Sequence, residues 1–142
     1  MIFKSFEINK INKKINQLIL FYGKNEGLKN EAISILIKDE NNIQNYEEKE
    51  ILDNENNFIE NILSKSLFEK EKFIVIKRTT DKILKIIETL HLKNLEDTTI
   101  IFNSDNLEKK SKLRSLFEKD KTLACVPFYP DNDQTLSKLA YN

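Results

Sequence analysis

The sequence predicts an α/β domain of three layers built on a mainly parallel sheet. Two observations carry that reading. Short, continuous apolar runs of strand length recur along the chain, and segments with apolar residues at helical spacing separate them. Parallel neighbours need a crossover on the order of a dozen residues or more, and an amphipathic helix between buried strands supplies it. A third observation fixes the first such unit: Gln17-Leu18-Ile19-Leu20-Phe21-Tyr22 ends at Gly23, and a helical pattern follows at once.

Residues 1–16 carry Ile2, Phe3, Phe6, Ile8, Ile11 and Ile15 among lysines and asparagines, which predicts a short strand or turn leading into a helix. The run to Tyr22 reads as a fully buried parallel strand. Leu28, Ala32, Ile35 and Leu36 recur at helical spacing, so a helix begins near Glu26 or Gly27. Residues 39–50 are polar, with Ile43 and Tyr46 on a short edge strand that continues to Ile51-Leu52. Asp53 or Asn54 caps the next helix, whose inward stripe is Phe58, Ile59, Ile62 and Leu63. Phe73-Ile74-Val75-Ile76 is a buried strand rich in β-branched residues. Thr80 or Asp81 caps a helix with Ile83, Leu84, Ile86, Ile87 and Leu90 on its apolar side. Thr98 to Phe102 is a third strand of the buried type, and Leu107, Leu113, Leu116 and Phe117 mark a lysine-rich helix. Thr122 to Phe128 reads as a strand, and the tail from Asp131 as a helix with Leu136 and Leu139 inward. That helix meets the chain end at Asn142 without a glycine or proline stop signal, so the chain reads as the first domain of a longer protein.

At 142 residues the chain fits one domain, 1–142, with a sizeable core. Its 23 basic residues balance 23 acidic ones, so no global field draws it to DNA or to an acidic membrane, and any nucleic-acid contact must be local. Cys125 is the lone cysteine, which excludes an internal disulfide and suits a small buried thiol. With His91 the lone histidine, an ordinary His/Cys zinc site is excluded, and no metal site is predicted. No apolar run spans a bilayer and no signal-peptide core is present, so no membrane partner is expected and the default location is the cytoplasm.

A strand–glycine turn–helix unit is a common phosphate-binding place in α/β folds. Here the turn reads Gly23-Lys24-Asn25-Glu26-Gly27-Leu28-Lys29. A working phosphate loop needs G-x-x-x-x-G-K-[ST], with the lysine on the outer phosphates and the hydroxyl on magnesium. The two glycines are one residue too close, Leu28 stands where the lysine belongs, and Asn30 follows Lys29 in place of Ser or Thr. Glu26 adds a carboxylate where phosphate would sit. The third strand should end in an Asp to organise magnesium and water, yet Ile100-Ile101-Phe102 runs into Asn103-Ser104, with Asp105 beyond. Gly23, Lys24, Glu26, Gly27 and Leu28 thus form a phosphate loop without its chemistry, and neither a nucleotide cofactor nor intrinsic catalysis is expected. Glu47-Glu48 lies in a polar loop with no apolar pocket to raise a pKa, and His91 has no nucleophile beside it in sequence.

Lys109, Lys110, Lys112 and Arg114 make the one dense basic stretch, read either as a solvated helix face or as a contact for a phosphate backbone or an acidic subunit. Leu67-Phe68 is an adjacent apolar pair set between Lys65-Ser66 and Glu69-Lys70-Glu71-Lys72. Neighbours on a helix diverge by about 100°, so hiding both needs a wide inward stripe. The pair either caps the core where helix meets strand or stands out as a plug for a partner's hydrophobic pocket.

Four fragments together resemble one family, the δ subunit of the bacterial DNA polymerase III clamp loader. They are Leu20 to Leu28, Ser66-Leu67-Phe68 ahead of a strand, Asn106 to Glu118, and Cys125-Val126-Pro127-Phe128-Tyr129-Pro130-Asp131, in this order along nearly the whole chain. The resemblance implies a RecA-like, degenerate AAA+ domain that has lost its ATPase function. Members of that family act in DNA replication as accessory subunits of a DNA-directed DNA polymerase, a nucleotidyltransferase holoenzyme, in the bacterial cytoplasm. They insert a Leu-Phe pair into a pocket of the ring-shaped sliding clamp (the β subunit) and help hold the ring open. Carried across by motif, the plug is Leu67-Phe68 with Ser66 at its edge. The resemblance further implies δ′ and τ/γ subunits as partners of the full-length protein, DNA reached indirectly through the complex, and lid and collar domains that this chain does not contain. Two readings from other classes stand beside it: an active P-loop NTPase, and an α/β domain that binds single-stranded DNA through Lys109–Arg114.

Overall fold

A computed structural model of the chain describes residues 1–38, 43–64, 71–93, 95 and 97–129. The apolar runs become strands of one sheet: β1 (Leu18–Tyr22), β3 (Lys72–Lys77), β4 (Thr98–Ser104) and β5 (Ala124–Pro127), with the polar β2 (Ile43–Glu47) at one edge. The order is β2-β3-β4-β1-β5, and every described pairing is parallel. Helices α1 (Glu26–Leu36), α2 (Glu48–Leu52), α3 (Glu55–Leu63), α4 (Leu84–His91) and α5 (Lys112–Lys119) make the crossovers. This is the three-layer α/β fold expected from the alternation of runs.

Strand period decides which face each side chain joins. Leu18, Leu20 and Tyr22 of β1, with Ile74, Ile76, Ile100 and Phe102, meet Phe58 and Ile62 of α3, Ile86, Ile87 and Leu90 of α4, and Leu113 and Phe117 of α5. Ile19 and Phe21, with Val75, Ile101 and Val126, meet Ala32 and Leu36 of α1, together with Ile8 and Ile11. All five residues of β1 and all seven of β4 are buried; β1 therefore reads as an unbroken apolar run, while in β4 the apolar Ile100-Ile101-Phe102 lies between polar residues that are buried as well. Each large apolar side chain so buried contributes about 1.5–3 kcal/mol.

Three local expectations need correction. Residues 1–16 hold a 3-10 turn over Ser5–Lys10 and a single parallel bridge from Ile2 to Cys125, and no α-helix. The edge strand stops at Glu47, and Ile51-Leu52 belongs to α2. The reason lies in the cap: the backbone N–H of Glu47 donates to Glu50 Oε1 at 3.3 Å, and helical spacing lets Ile51 reach the core while Glu48 accepts from Thr80 Oγ1 at 2.8 Å. Third, Leu63 is substantially exposed, so the α3 stripe rests on Phe58 and Ile62 with Ile59 partly covered. The tail expected to form a helix from Asp131 lies outside the described residues.

Asp81 caps a helix other than its own. Thr80 caps the 3-10 turn Asp81–Ile83 ahead of α4. The Asp81 carboxylate instead accepts from Ser111 Oγ at 2.7 Å, Leu113 N at 3.1 Å and Lys112 N at 3.2 Å, at the start of α5. Ser111 Oγ accepts from Arg114 N at 3.3 Å, so the orphan donors of that helix end are satisfied by two side chains. The Ser111 hydroxyl, then the two amides, hold the Asp81 carboxyl below its ordinary value. A lowered folded-state pKa stabilises above the ordinary Asp value near 3.9, and that contribution is lost as pH falls through the folded value. Asp81→Ala is expected to cost about 1 kcal/mol at neutral pH, with the gap to wild type closing in acid. Urea unfolding of both proteins at neutral and acidic pH measures it.

Candidate functional site

Helix α1 packs on one face of the sheet and α5 on the other, and the strands that feed them, β1 and β4, lie side by side. The crevice beyond the carboxyl ends of such a pair is where ligands bind in open parallel sheets. Register places Tyr22 beside Ser104 and Phe21 beside Asn103 at its floor.

The turn over this crevice is short. Only Gly23, Lys24 and Asn25 separate β1 from α1, because Asn25 caps the helix by accepting from Leu28 N at 3.1 Å. Gly23 has φ +128°, and a Cβ there would run into the main-chain carbonyl of Phe128. Its N–H reaches Asp105 O at 3.3 Å, and Phe128 N donates to Tyr22 O at 2.7 Å, which closes β5 over the turn. Gly27 lies within the first turn of α1, where an added Cβ meets nothing closer than an ordinary contact. Lys24, Glu26 and Gly27 are exposed and Leu28 is half-buried. The structure brings these five residues together as one strand–turn–helix corner.

Lys29, three residues after Glu26, enters the crevice from α1 and is fully buried. Its Nζ donates to Ser104 O at 3.0 Å and pairs with Glu26 Oε1 at 2.7 Å. Beside it Thr79 Oγ1 and Ser104 Oγ share a hydrogen bond, and Thr79 N donates to Asn103 O at 3.1 Å, which joins the ends of β3 and β4. A protein ammonium therefore occupies the place where β1, β4 and α1 converge, and its partners are a main-chain carbonyl and a carboxylate of its own helix. Asn103 and Ser104 are buried at the end of β4, while Asp105 is exposed. Among the described residues no three His, Cys, Asp or Glu side chains come together as a metal site.

The basic stretch is split by the fold. Lys109, Lys110 and Lys112 are exposed, and Lys110 Nζ lies 3.3 Å from Glu108 Oε2. Arg114 turns inward: its Nη1 donates to Leu107 O at 3.0 Å, its Nε to Glu118 Oε1 at 3.3 Å, and its guanidinium stacks 5.1 Å from the Tyr22 ring centre. Burial pushes the Tyr22 phenol up to about 12. Burial likewise pushes the Cys125 thiol up to about 12, so it stays protonated and unreactive at neutral pH.

Ser66, Leu67 and Phe68 lie outside the described residues. Sequence reasoning missed two roles: Lys29 in the crevice and Asp81 on α5. A signal for Lys29 exists, because it falls on the inward stripe with Ala32 and Leu36. The target of Asp81 carries no local signal.

No protein-family model matches the sequence, and no curated protein matches it either. Among solved structures, the fold is similar to that of the Bacillus subtilis DNA clamp loader delta protein (YqeN), with a TM-score of 0.72, 15% identity and 95% of this chain covered. The chain spans 45% of the length of that protein. At this identity the likeness is one of fold: the chain is a three-layer α/β domain built like a part of a clamp loader delta protein.

Proposed function

We propose that the chain is a δ-like domain of a clamp loader, a degenerate AAA+ unit that binds a sliding clamp and helps hold it open without hydrolysing ATP. The observation that carries this reading is the filled crevice. The corner where a nucleotide would bind in such a fold is taken up by Lys29 and its partners Ser104 and Glu26. A three-residue turn leaves no loop to wrap a phosphate chain. The fold of the clamp loader delta protein and the order of the family-like fragments support the same conclusion. Leu67-Phe68, with Ser66 at its edge, is the proposed plug, and binding energy at that pair biases the ring toward its open form. The full-length protein would assemble with δ′ and τ/γ subunits and meet DNA through the complex.

The test is calorimetric titration of the sliding clamp from the same organism with wild type and with Leu67→Ala/Phe68→Ala, with circular dichroism on both. Wild type is expected to bind and the folded double variant to lose about 2 kcal/mol or more, as apolar anchors do. No binding by wild type, equal binding by the double variant, or a double variant that unfolds because the pair is core would each overturn the proposal.

A further inference from the structure

Beyond the carboxyl ends of β3 and β4 lies a cleft of about 540 Å³. One wall is the connection into α4, with Thr80 and Lys82, and the other is the connection into α5, with Asn106, Leu107 and Lys110. Asp81 braces the two walls, because its carboxylate accepts from Ser111 Oγ, Leu113 N and Lys112 N on the other side. Arg114 fixes the second wall by donating to Leu107 O at 3.0 Å, and the Leu107 side chain packs against the core. The walls are therefore set before anything enters, so little binding energy is lost in ordering them.

An apolar patch between cations is what this cleft presents. Its acids are already engaged: Asp81 accepts three hydrogen bonds, and Glu108 Oε2 lies 3.3 Å from Lys110 Nζ. That ion pair is solvent-exposed, so a partner's carboxylate can displace it at small cost. Thr80 Oγ1 is likewise used, donating to Glu48 Oε1 at 2.8 Å. Lys82 and Asn106 are exposed, and their side chains make no hydrogen bond or ion pair among the described residues. Lys109 and Lys112, exposed as well, flank Lys110 and make this rim locally basic in a chain of zero net charge.

The geometry points to an acidic segment of a partner protein, one apolar side chain flanked by Asp or Glu, as the occupant of this cleft. The apolar side chain covers Leu107, carboxylates meet Lys82 and Lys110, and the Asn106 amide adds a donor. Nucleic acid fits less well. No residue lining the cleft is aromatic, so bases find no ring to stack on, and a phosphate chain would run past Asp81 and Glu108. This docking surface is independent of the clamp contact proposed above.

Heteronuclear NMR of the isotope-labelled full chain tests it, with a capped Asp-Glu-Leu-Asp-Glu peptide as probe. The peptide with Asn and Gln in place of the acids, and an oligothymidylate, are titrated in parallel. At millimolar concentration the acidic peptide is expected to shift the amides of Lys82, Asn106, Leu107 and Lys110 in a saturable way, and the neutral peptide to leave them in place. Lys82→Gln/Lys110→Gln, at two exposed positions, should weaken that binding about three- to tenfold. No saturable shift at these amides, equal binding of the neutral peptide, or unchanged affinity in the double variant would each overturn the proposal. So would an oligothymidylate that saturates the same amides at lower concentration, which assigns the cleft to nucleic acid. Should the double variant lose its native spectrum, Lys82→Gln and Lys110→Gln singly take its place, and wild-type affinity in both overturns the proposal equally.

Discussion

Replacing Gly23 by alanine is expected to destabilise the domain by about 3 kcal/mol or more, whereas Gly27→Ala should be neutral or slightly stabilising. The two glycines look equivalent in the sequence and differ in physics. At φ +128° Gly23 holds a backbone conformation that L side chains rarely adopt. Its missing Cβ also leaves room for the carbonyl of Phe128, a main-chain atom that cannot rotate away. Strain alone accounts for about 1–3 kcal/mol, and displacing β5 adds to it. Gly27 sits on a helix where an added Cβ meets only the Asn25 side chain at an ordinary contact of 3.7 Å, so alanine gains propensity without strain. Thermal unfolding of the two variants should separate them by roughly 10 °C or more at a few degrees per kcal/mol. A functional phosphate loop would need both glycines for close backbone approach to phosphate. Equal sensitivity at the two positions would therefore count against the degenerate corner described above.

Lys29→Ala is expected to cost about 3 kcal/mol, Glu26→Ala about 1–2 kcal/mol, and Lys29→Met less than about 1.5 kcal/mol. Volume decides the order as much as charge does. Alanine leaves a hole where a long side chain was fully buried and strips Ser104 O of its ammonium. Methionine fills most of that volume and removes the desolvation cost of a buried cation, so it loses chiefly one hydrogen bond. Removing Glu26 strands the ammonium with a single acceptor, but Glu26 is about two-thirds exposed, and nearby water softens the loss. Urea unfolding of the three variants gives the ranking. On the same proteins, magnesium-ATP should not shift the melting temperature of wild type or of Lys29→Met. A magnesium-dependent rise in wild type that Lys29→Met abolishes would restore the NTPase reading.

The strands were legible because they are buried on both faces. Such burial turns a periodic pattern into an unbroken apolar run, which Leu18–Tyr22 shows at full length and Ile100–Phe102 in the middle of β4. Helices α3 and α4 were legible for the opposite reason, since one stripe faces the core and solvent takes the rest. Where one element reached across to another, the sequence was mute. Asp81 stands where a helix start needs a cap, and nothing in its surroundings says that the helix is α5. Arg114 counts as one more charge in a basic run until the fold aims it at Leu107 O and Tyr22. Ile51-Leu52 looked like a strand because a two-residue apolar step fits either period, and a cap three residues long decided it. The corner at Gly23 was readable as a defect in a known pattern, but the residue that fills it was not, because buried lysines are rare enough that helical lysines default to solvent.

The strand order has a consequence for how the chain comes to be folded. β1, near the start, has as its only strand neighbours β4 and β5: Leu18 lies beside Ile100 and Ile19 beside Ala124. At roughly 5–20 residues per second of synthesis, about ten seconds pass between the appearance of β1 and that of its last neighbour. Until β4 emerges the apolar β1 has no strand to pair with, and its other edge stays open until β5, while β2 and β3 can already pair beside each other. Local contacts cannot nucleate the centre of this domain, so folding is set by distant pairings and is slow for its size. Of these five strands, the one made first is the last to gain both of its neighbours.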